Sequence, residues 1–193
     1  WRPIHFISGN SNKLNSSDQI KVIQMLIEQK VDLEAQENDG WRPIHFISGN
    51  SNKLNSSDQI KTIQMFIEHK VDLEVPDSYE YGGNTPIHYM LGIVNQLISG
   101  DQLKIIKMLF ENQTIDLNVM RQDGMRPFHL ICSGENNMNT KDQMEAIELF
   151  VKNAQRVDLY AVNEKNEKPV HLICGGTNKM TDSDKLKIVK MLI

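Results

Sequence analysis

Residues 1–21 read WRPIHFISGNSNKLNSSDQIK, and the same letters return at 41–61. Over residues 1–34 and 41–74 the two copies differ only at Val22/Thr62, Leu26/Phe66 and Gln29/His69. A chain that spells a sentence twice is built from a unit, and a period of this size belongs to stacked-repeat architectures. Anchoring on Pro-x-His finds five registers: Pro3/His5, Pro43/His45, Pro86/His88, Pro127/His129 and Pro169/His171. The repeats start at Trp1, Trp41, Asn84, Met125 and Glu167, so the periods are 40, 43, 41 and 42.

Fixed offsets follow each anchor. Asn stands seven residues after every motif His (Asn12, Asn52, Asn95, Asn136, Asn178). Nine residues after it comes an apolar side chain (Leu14, Leu54, Leu97, Met138, Met180), and thirteen after it Asp (Asp18, Asp58, Asp101, Asp142, Asp184). The differences in length all fall later in the repeat. Each repeat is therefore expected to hold a short helix beginning at its Pro, where the missing N–H costs nothing. A polar loop, ordered because its length and its apolar residue are constant, then leads to a second helix. Ser16 with Gln19, Ser56 with Gln59, Ser99 with Gln102 and Thr140 with Gln143 predict capping boxes at that helix. Ile20, Ile23, Leu26 and Ile27 have helical spacing. Val31 to Leu33 is extended, and Asn38-Asp39-Gly40 and Gln122-Asp123-Gly124 are turns. Neither helix is long enough to be stable alone, so each must be held by its neighbours.

Composition narrows the function. The chain has 39% apolar and 24% charged residues and a formal net charge of −4, which argues against disorder and against a dedicated nucleic-acid binder. No run of eighteen apolar residues is present to span a membrane. Two cysteines, Cys132 and Cys174, are too few for a disulfide scaffold. At equivalent places in adjacent repeats they read as small buried residues. The expected compartment is reducing and cytoplasmic, where the sequons at Asn15, Asn55 and Asn112 have no use. Trp1 and Ile193 both fall inside a repeat, so the chain is expected to be a piece of a longer array. Motif histidines in successive repeats are about 8–10 Å apart, too far to share a zinc ion, so no metal, cofactor or catalytic set is expected. Arg2, Arg42, Arg126 and Lys168 form a cationic row that could meet an acidic partner; the favoured expectation is local pairing, as Asp39 with Arg42 and Asp123 with Arg126.

Helix, loop, helix and a turn ending in Gly-x-x-Pro-x-His resembles the ankyrin repeat over the whole chain, most closely at Gly83 to His88. The resemblance implies an all-α fold: a right-handed stack of five helix-loop-helix repeats, a solenoid, with β-hairpin or turn fingers. It also implies that the five motif histidines, His5, His45, His88, His129 and His171, are structural, each bonding backbone across adjacent turns. The array is a single domain of repeats 1–40, 41–83, 84–124, 125–166 and a truncated 167–193. The departures are the extra residues between the helices, Arg or Lys in place of the family's Thr in four repeats, and Lys30 and Lys70 where a Gly ends the second helix. That last change implies strain or a different exit turn. The family's function implies a non-enzymatic scaffold that binds a protein partner through finger tips and the concave face. The contact residues would be Gln36, Asn38, Asp39 and Trp41; Asp77, Tyr79, Tyr81 and Asn84; Met120, Gln122, Asp123 and Met125; and Val162, Glu164, Lys165 and Glu167. Two alternatives are a structural part of a cytoskeletal assembly, touching its neighbours through the long loops, and the regulatory arm of an enzyme whose catalytic domain lies elsewhere.

Overall fold

Pro3 opens a helix because its fixed φ suits the first helical position, and the same device recurs at Pro43, Pro86, Pro127 and Pro169. In the computed structural model, which describes residues 2–49, 51–78, 80, 82–92, 95, 97–175 and 178–193, these prolines begin five six-residue helices. They are α1 (Pro3–Ser8), α3 (Pro43–Ser48), α5 (Pro86–Leu91), α7 (Pro127–Cys132) and α9 (Pro169–Cys174). Each is followed by a longer one: α2 (Ser16–Glu28), α4 (Ser56–Glu68), α6 (Ser99–Glu111), α8 (Thr140–Lys152) and α10 (Asp182–Leu192). An Asp lies in the first turn of every long helix, where the helix dipole favours it.

The chain divides into two compact units, one of Trp1–Met90 with Val94–Leu97, the other of Leu91–Ile93 with Ile98–Ile193. Within the first, α1 packs on α2 and α3, and α4 on α2 and α3. Ile4, Ile23, Ile44, Ile47, Leu54, Ile63 and Phe66 fill the space between them. Within the second, α8 packs on α6, α7 and α10, and α9 on α7 and α10. Its core includes Ile106, Phe128, Ile131, Met138, Ile147, Phe150 and Ile173. Phe150 stacks on Phe128 at 5.0 Å and meets Phe110 edge-on at 4.9 Å.

One pair of core positions varies in a compensated way. Four residues apart on the long helices stand Val22/Leu26, Thr62/Phe66, Ile105/Leu109, Ala146/Phe150 and Ile188/Leu192. Where the second residue grows to Phe, the first shrinks to Thr or Ala. Residues i and i+4 share a helix face, so the smaller first residue offsets part of the added volume of Phe, as close-packed interiors demand.

Three local expectations are corrected. No strand forms among the described residues, so the fingers are turns rather than hairpins. The first is closed by Glu37 N–H to Trp41 O and Gly40 N–H to Glu37 O, both at 3.0 Å, without a ladder. The serines do not cap. Asn15, Asn55 and Asn139 are the N-caps, each accepting from the Asp N–H three residues on, and Thr181 does the same in the fifth repeat. Gln19 instead turns back, its Nε2 donating to Ile7 O at 2.6 Å. Cys174 is exposed, whereas Cys132 is buried and its thiol pKa is pushed well up by desolvation.

The long loop is ordered by its Asn. Asn52 Nδ2 donates to Phe46 O, Ile47 O and Gly49 O at 2.9, 3.2 and 2.8 Å, while its Oδ1 accepts from Leu54 N–H at 2.9 Å. One side chain thus satisfies carbonyls left open at the end of a short helix. Asn12, Asn136 and Asn178 repeat the arrangement. At the exits of α2 and α4, Lys30 and Lys70 adopt φ of 56° and 57°. Lys30 N–H bonds Ile27 O at 2.8 Å and Val31 N–H bonds Leu26 O at 3.2 Å. This is the Schellman closure that glycine usually makes, so the strain expected at these lysines is present.

Candidate partner-binding surface

The motif histidines come first, because the short helices that carry the fingers depend on them. A guanidinium has no acceptor, so Arg42 cannot cap α3. Its backbone N–H donates instead to His45 Nδ1 at 3.0 Å, and His45 Nε2–H donates to Val75 O at 2.9 Å. A backbone N–H must donate and a carbonyl must accept, which fixes the neutral imidazole with its proton on Nε2. Burial lowers the pKa of His45 to about 4, and desolvation also lowers that of His129. His5 and His129 make the same pair of bonds. In the third repeat the Thr85 hydroxyl also reaches His88 Nδ1, at 2.8 Å.

His171 shares the local half of this arrangement. Its Nδ1 accepts from Lys168 N–H at 2.8 Å, so the local bond at the start of α9 is kept. The ring itself is exposed, whereas His5, His45, His88 and His129 are buried. The carbonyls that accept from His5, His45 and His129 lie 30, 30 and 38 residues further on.

Three members of the cationic row, Arg2, Arg42 and Arg126, pair, but not with the turns. Arg2 meets Asp32 at 2.8 Å, Arg42 meets Glu34 and, at 3.9 Å, Asp72, and Arg126 meets Asp158 at 3.6 Å. Asp123 is taken by Arg121, in two bonds of 2.7 Å. The reason is reach: the Asp of each Val-Asp-Leu segment faces the Arg that opens the same repeat, and Glu34 of the preceding repeat reaches Arg42 as well.

Of the residues expected at the fingers, Gln36, Asn38, Asp39, Met120, Gln122, Asp123, Val162, Glu164 and Lys165 are exposed. Asn84 and Glu167 are half-buried. Tyr79 and Tyr81 lie outside the described residues. Three others serve packing first. Trp41 is half-buried among Phe46, Tyr89 and His45, with ring centroids 4.9, 5.4 and 5.9 Å away. Asp77 is buried, accepting from Tyr89 Oη at 2.5 Å and from Asn84 N–H at 2.8 Å. Burial raises its pKa. Met125 is buried, with Asn163 Nδ2 3.6 Å from its sulfur.

The last two described fingers are joined through their backbones. Glu164 N–H donates to Asp123 O at 3.0 Å, and Gly124 lies against Asn163 so closely that an added Cβ would sit 2.7 Å from Glu164 N. On these joined fingers Met120 is 59% exposed and Val162 45%, with Tyr160 beside Val162 in sequence at 59%. Met120 and Val162 occupy the same register of adjacent repeats.

Two kinds of residue were missed from sequence. Glu37 accepts from Asp39 and Trp41 N–H at 2.9 and 3.0 Å, and Asn163 accepts from Lys165 and Glu167 N–H at 3.0 and 2.9 Å. The signal was an acceptor side chain at one register, Glu37, Asp77 and Asn163, broken only by Arg121. Arg156 donates to Phe110 O, Asn112 O and Ile115 O at 2.8, 3.0 and 3.1 Å, closing the end of α6 from the next repeat; nothing local in the sequence announced it.

Among the described residues, no group of three His, Cys, Asp or Glu side chains is placed to hold a metal ion, and no helix is long and apolar enough to cross a membrane. No family model matches this chain, and neither does any curated protein.

Proposed function

We propose that the chain is an ankyrin-like array of five repeats acting as a non-enzymatic scaffold, holding a protein partner on its fingers. The observation that carries this reading is the pair of backbone-joined fingers presenting Met120 and Val162, with Tyr160 adjacent, to solvent. Apolar side chains held on a preformed frame lose little entropy on binding, and Met and Tyr are enriched in interface cores. Glu37, Asp77, Asp123 and Asn163, by contrast, use their side chains to build the turns. The solenoid and the family are part of the same proposal. They are supported by the packing of each helix pair on the next within both compact units, and by the neutral, doubly bonded His5, His45 and His129.

The reading with the long loops as contact points has less support, because Asn12, Asn52, Asn136 and Asn178 turn their amides inward onto helix ends. The test is quantitative capture of a partner from the native cell. Met120→Asp with Val162→Asp should weaken capture about tenfold, roughly 1.4 kcal/mol, while Lys13→Ala with Lys53→Ala leaves it unchanged. Loss through the loop variants alone would reverse the assignment.

A further inference from the structure

The two compact units close the end of a long helix in different ways. In the second unit α6 ends without a left-handed residue, at Asn112 with φ of −82°. Its last carbonyls are reached from the next repeat by Arg156, which donates to Phe110 O, Asn112 O and Ile115 O at 2.8, 3.0 and 3.1 Å. The guanidinium also lies over the Phe110 ring, 5.8 Å from its centroid, so one side chain occupies the junction between the two helix exits.

In the first unit the register of Arg156, the residue before Val-Asp-Leu, belongs to Lys70, and the counterparts of Phe110 and Ile115 are Ile27 and Val31. Here α2 needs no help from its neighbour. The left-handed backbone of Lys30 carries its own N–H to Ile27 O and the N–H of Val31 to Leu26 O. Lys70, itself left-handed with φ of 57°, makes no bond of the Arg156 kind. A cleft of about 560 Å³ remains between the exits of α2 and α4, a volume in the range of small-molecule sites. Ile27 and Val71, buried, and Val31, half-buried, give it apolar walls. Lys30 and Lys70 both line it, and neither ammonium group has a hydrogen bond or ion pair among the described residues. Glu34 lines it too, but its carboxylate is taken by Arg42 and by Asp72 N–H at 2.8 Å. The exposed Glu28 opposes the two lysines with a single charge. Glycine would make the same closure without strain, and strained residues cluster where a side chain is needed for binding.

We propose that this cleft binds a small phosphomonoester with an apolar body, the phosphate between the Lys30 and Lys70 ammonium groups and the body against Ile27, Val31 and Val71. A phosphomonoester carries a charge of about −1.5 to −2 at neutral pH, which two ammonium groups match. A carboxylate would leave one lysine uncompensated. Lysine serves phosphate as a point charge, without a fixed fork geometry, which suits two long side chains converging from successive repeats. None of these residues belongs to a finger tip, so the site stands independently of the scaffold reading.

The test is titration of the chain with phenyl phosphate, followed through the backbone amide shifts of Lys30, Val31, Lys70 and Val71 in NMR. Saturable shifts at these amides are expected, and added salt should weaken binding because the contact is exposed. Lys30→Gly and Lys70→Gly should each weaken binding about fivefold, the size of one exposed charge pair. Both variants should gain stability in urea, which separates loss of binding from loss of fold. Glu28→Gln should tighten binding, and inorganic phosphate or phenol should bind more weakly than phenyl phosphate. Absence of saturable shifts, full binding by the Lys30→Gly, Lys70→Gly double variant, weaker binding by Glu28→Gln, or inorganic phosphate binding as tightly as phenyl phosphate would each overturn the proposal.

Discussion

Gly40 and Gly124 occupy the same register of their fingers and have nearly the same backbone, with φ of +82° and +77°. Replacing either by Ala imposes the left-handed penalty of about 1–2 kcal/mol, partly offset by about 0.4–1 kcal/mol from a less flexible unfolded chain. What differs is the space. A Cβ on Gly40 has its nearest neighbour at 3.8 Å, Ser78 N, whereas one on Gly124 meets Glu164 N at 2.7 Å and Asn163 Cα at 2.9 Å. These are backbone atoms, which can yield only by parting the fingers. That step breaks the bond from Glu164 N–H to Asp123 O, at about 1 kcal/mol, and adds an overpacking cost of about 1–3 kcal/mol. Gly40→Ala should therefore lose about 1 kcal/mol and Gly124→Ala about 3–4 kcal/mol. Peptide-resolved hydrogen exchange reads each loss within its own compact unit, and urea midpoints at unchanged slope read the total. In Gly124→Ala the Glu164 amide should lose protection first. Equal losses at the two sites, or an undisturbed Glu164 amide, would refute the reasoning.

Two further outcomes follow from the backbone and the histidines. Lys30→Gly and Lys70→Gly relieve φ of 56° and 57° at exposed side chains, and each should raise stability by about 0.5–1 kcal/mol in urea unfolding; a loss at either site would contradict the Schellman reading. His45 titrates at about 4 when folded and near 6.5 when unfolded, so the unfolded state binds the extra proton between those values. Stability from this residue is complete above pH 6.5, declines as pH falls to about 4 and then levels off, a change of about 3 kcal/mol. Unfolding midpoints across that range for the wild-type chain and His45→Gln would measure it, and equal pH slopes in the two proteins would rule it out.

The regular parts of this fold were legible because they are local and repeated. Pro at the first helical position, Asp in the first turn and the apolar spacing of the long helices each need only a few neighbouring residues. The capping box failed for a tertiary reason. Asn15-Ser16 offers two capping side chains in succession, and the choice turned on Asp58 and Asn55 of the next repeat, which occupy Ser16. The fingers were harder to read for a different reason. Trp41 and Asp77 have the composition of contact residues, but their packing against Tyr89 is set by the following repeat. His171 shows the same division within one side chain: its bond to Lys168 is local and legible, while the second bond of its counterparts depends on a distant carbonyl. Lys30 and Lys70 were legible as an irregular exit, strained or differently turned, because a missing glycine is itself a local sign.

The compensated pair on the long helices has a consequence for recognition. Thr62 with Phe66 and Ala146 with Phe150 exchange volume inside one helix, so a repeat can change its residues without changing how thick a layer it makes. Variation in repeat length is kept out of the layers and passed to the fingers and exit turns. Layers then act as shims of one gauge, and the features on the fingers recur at a fixed pitch within each compact unit. On the proposed scaffold reading, a partner that matches Met120 would meet Val162 one pitch further on, and spacing would become part of what it must match.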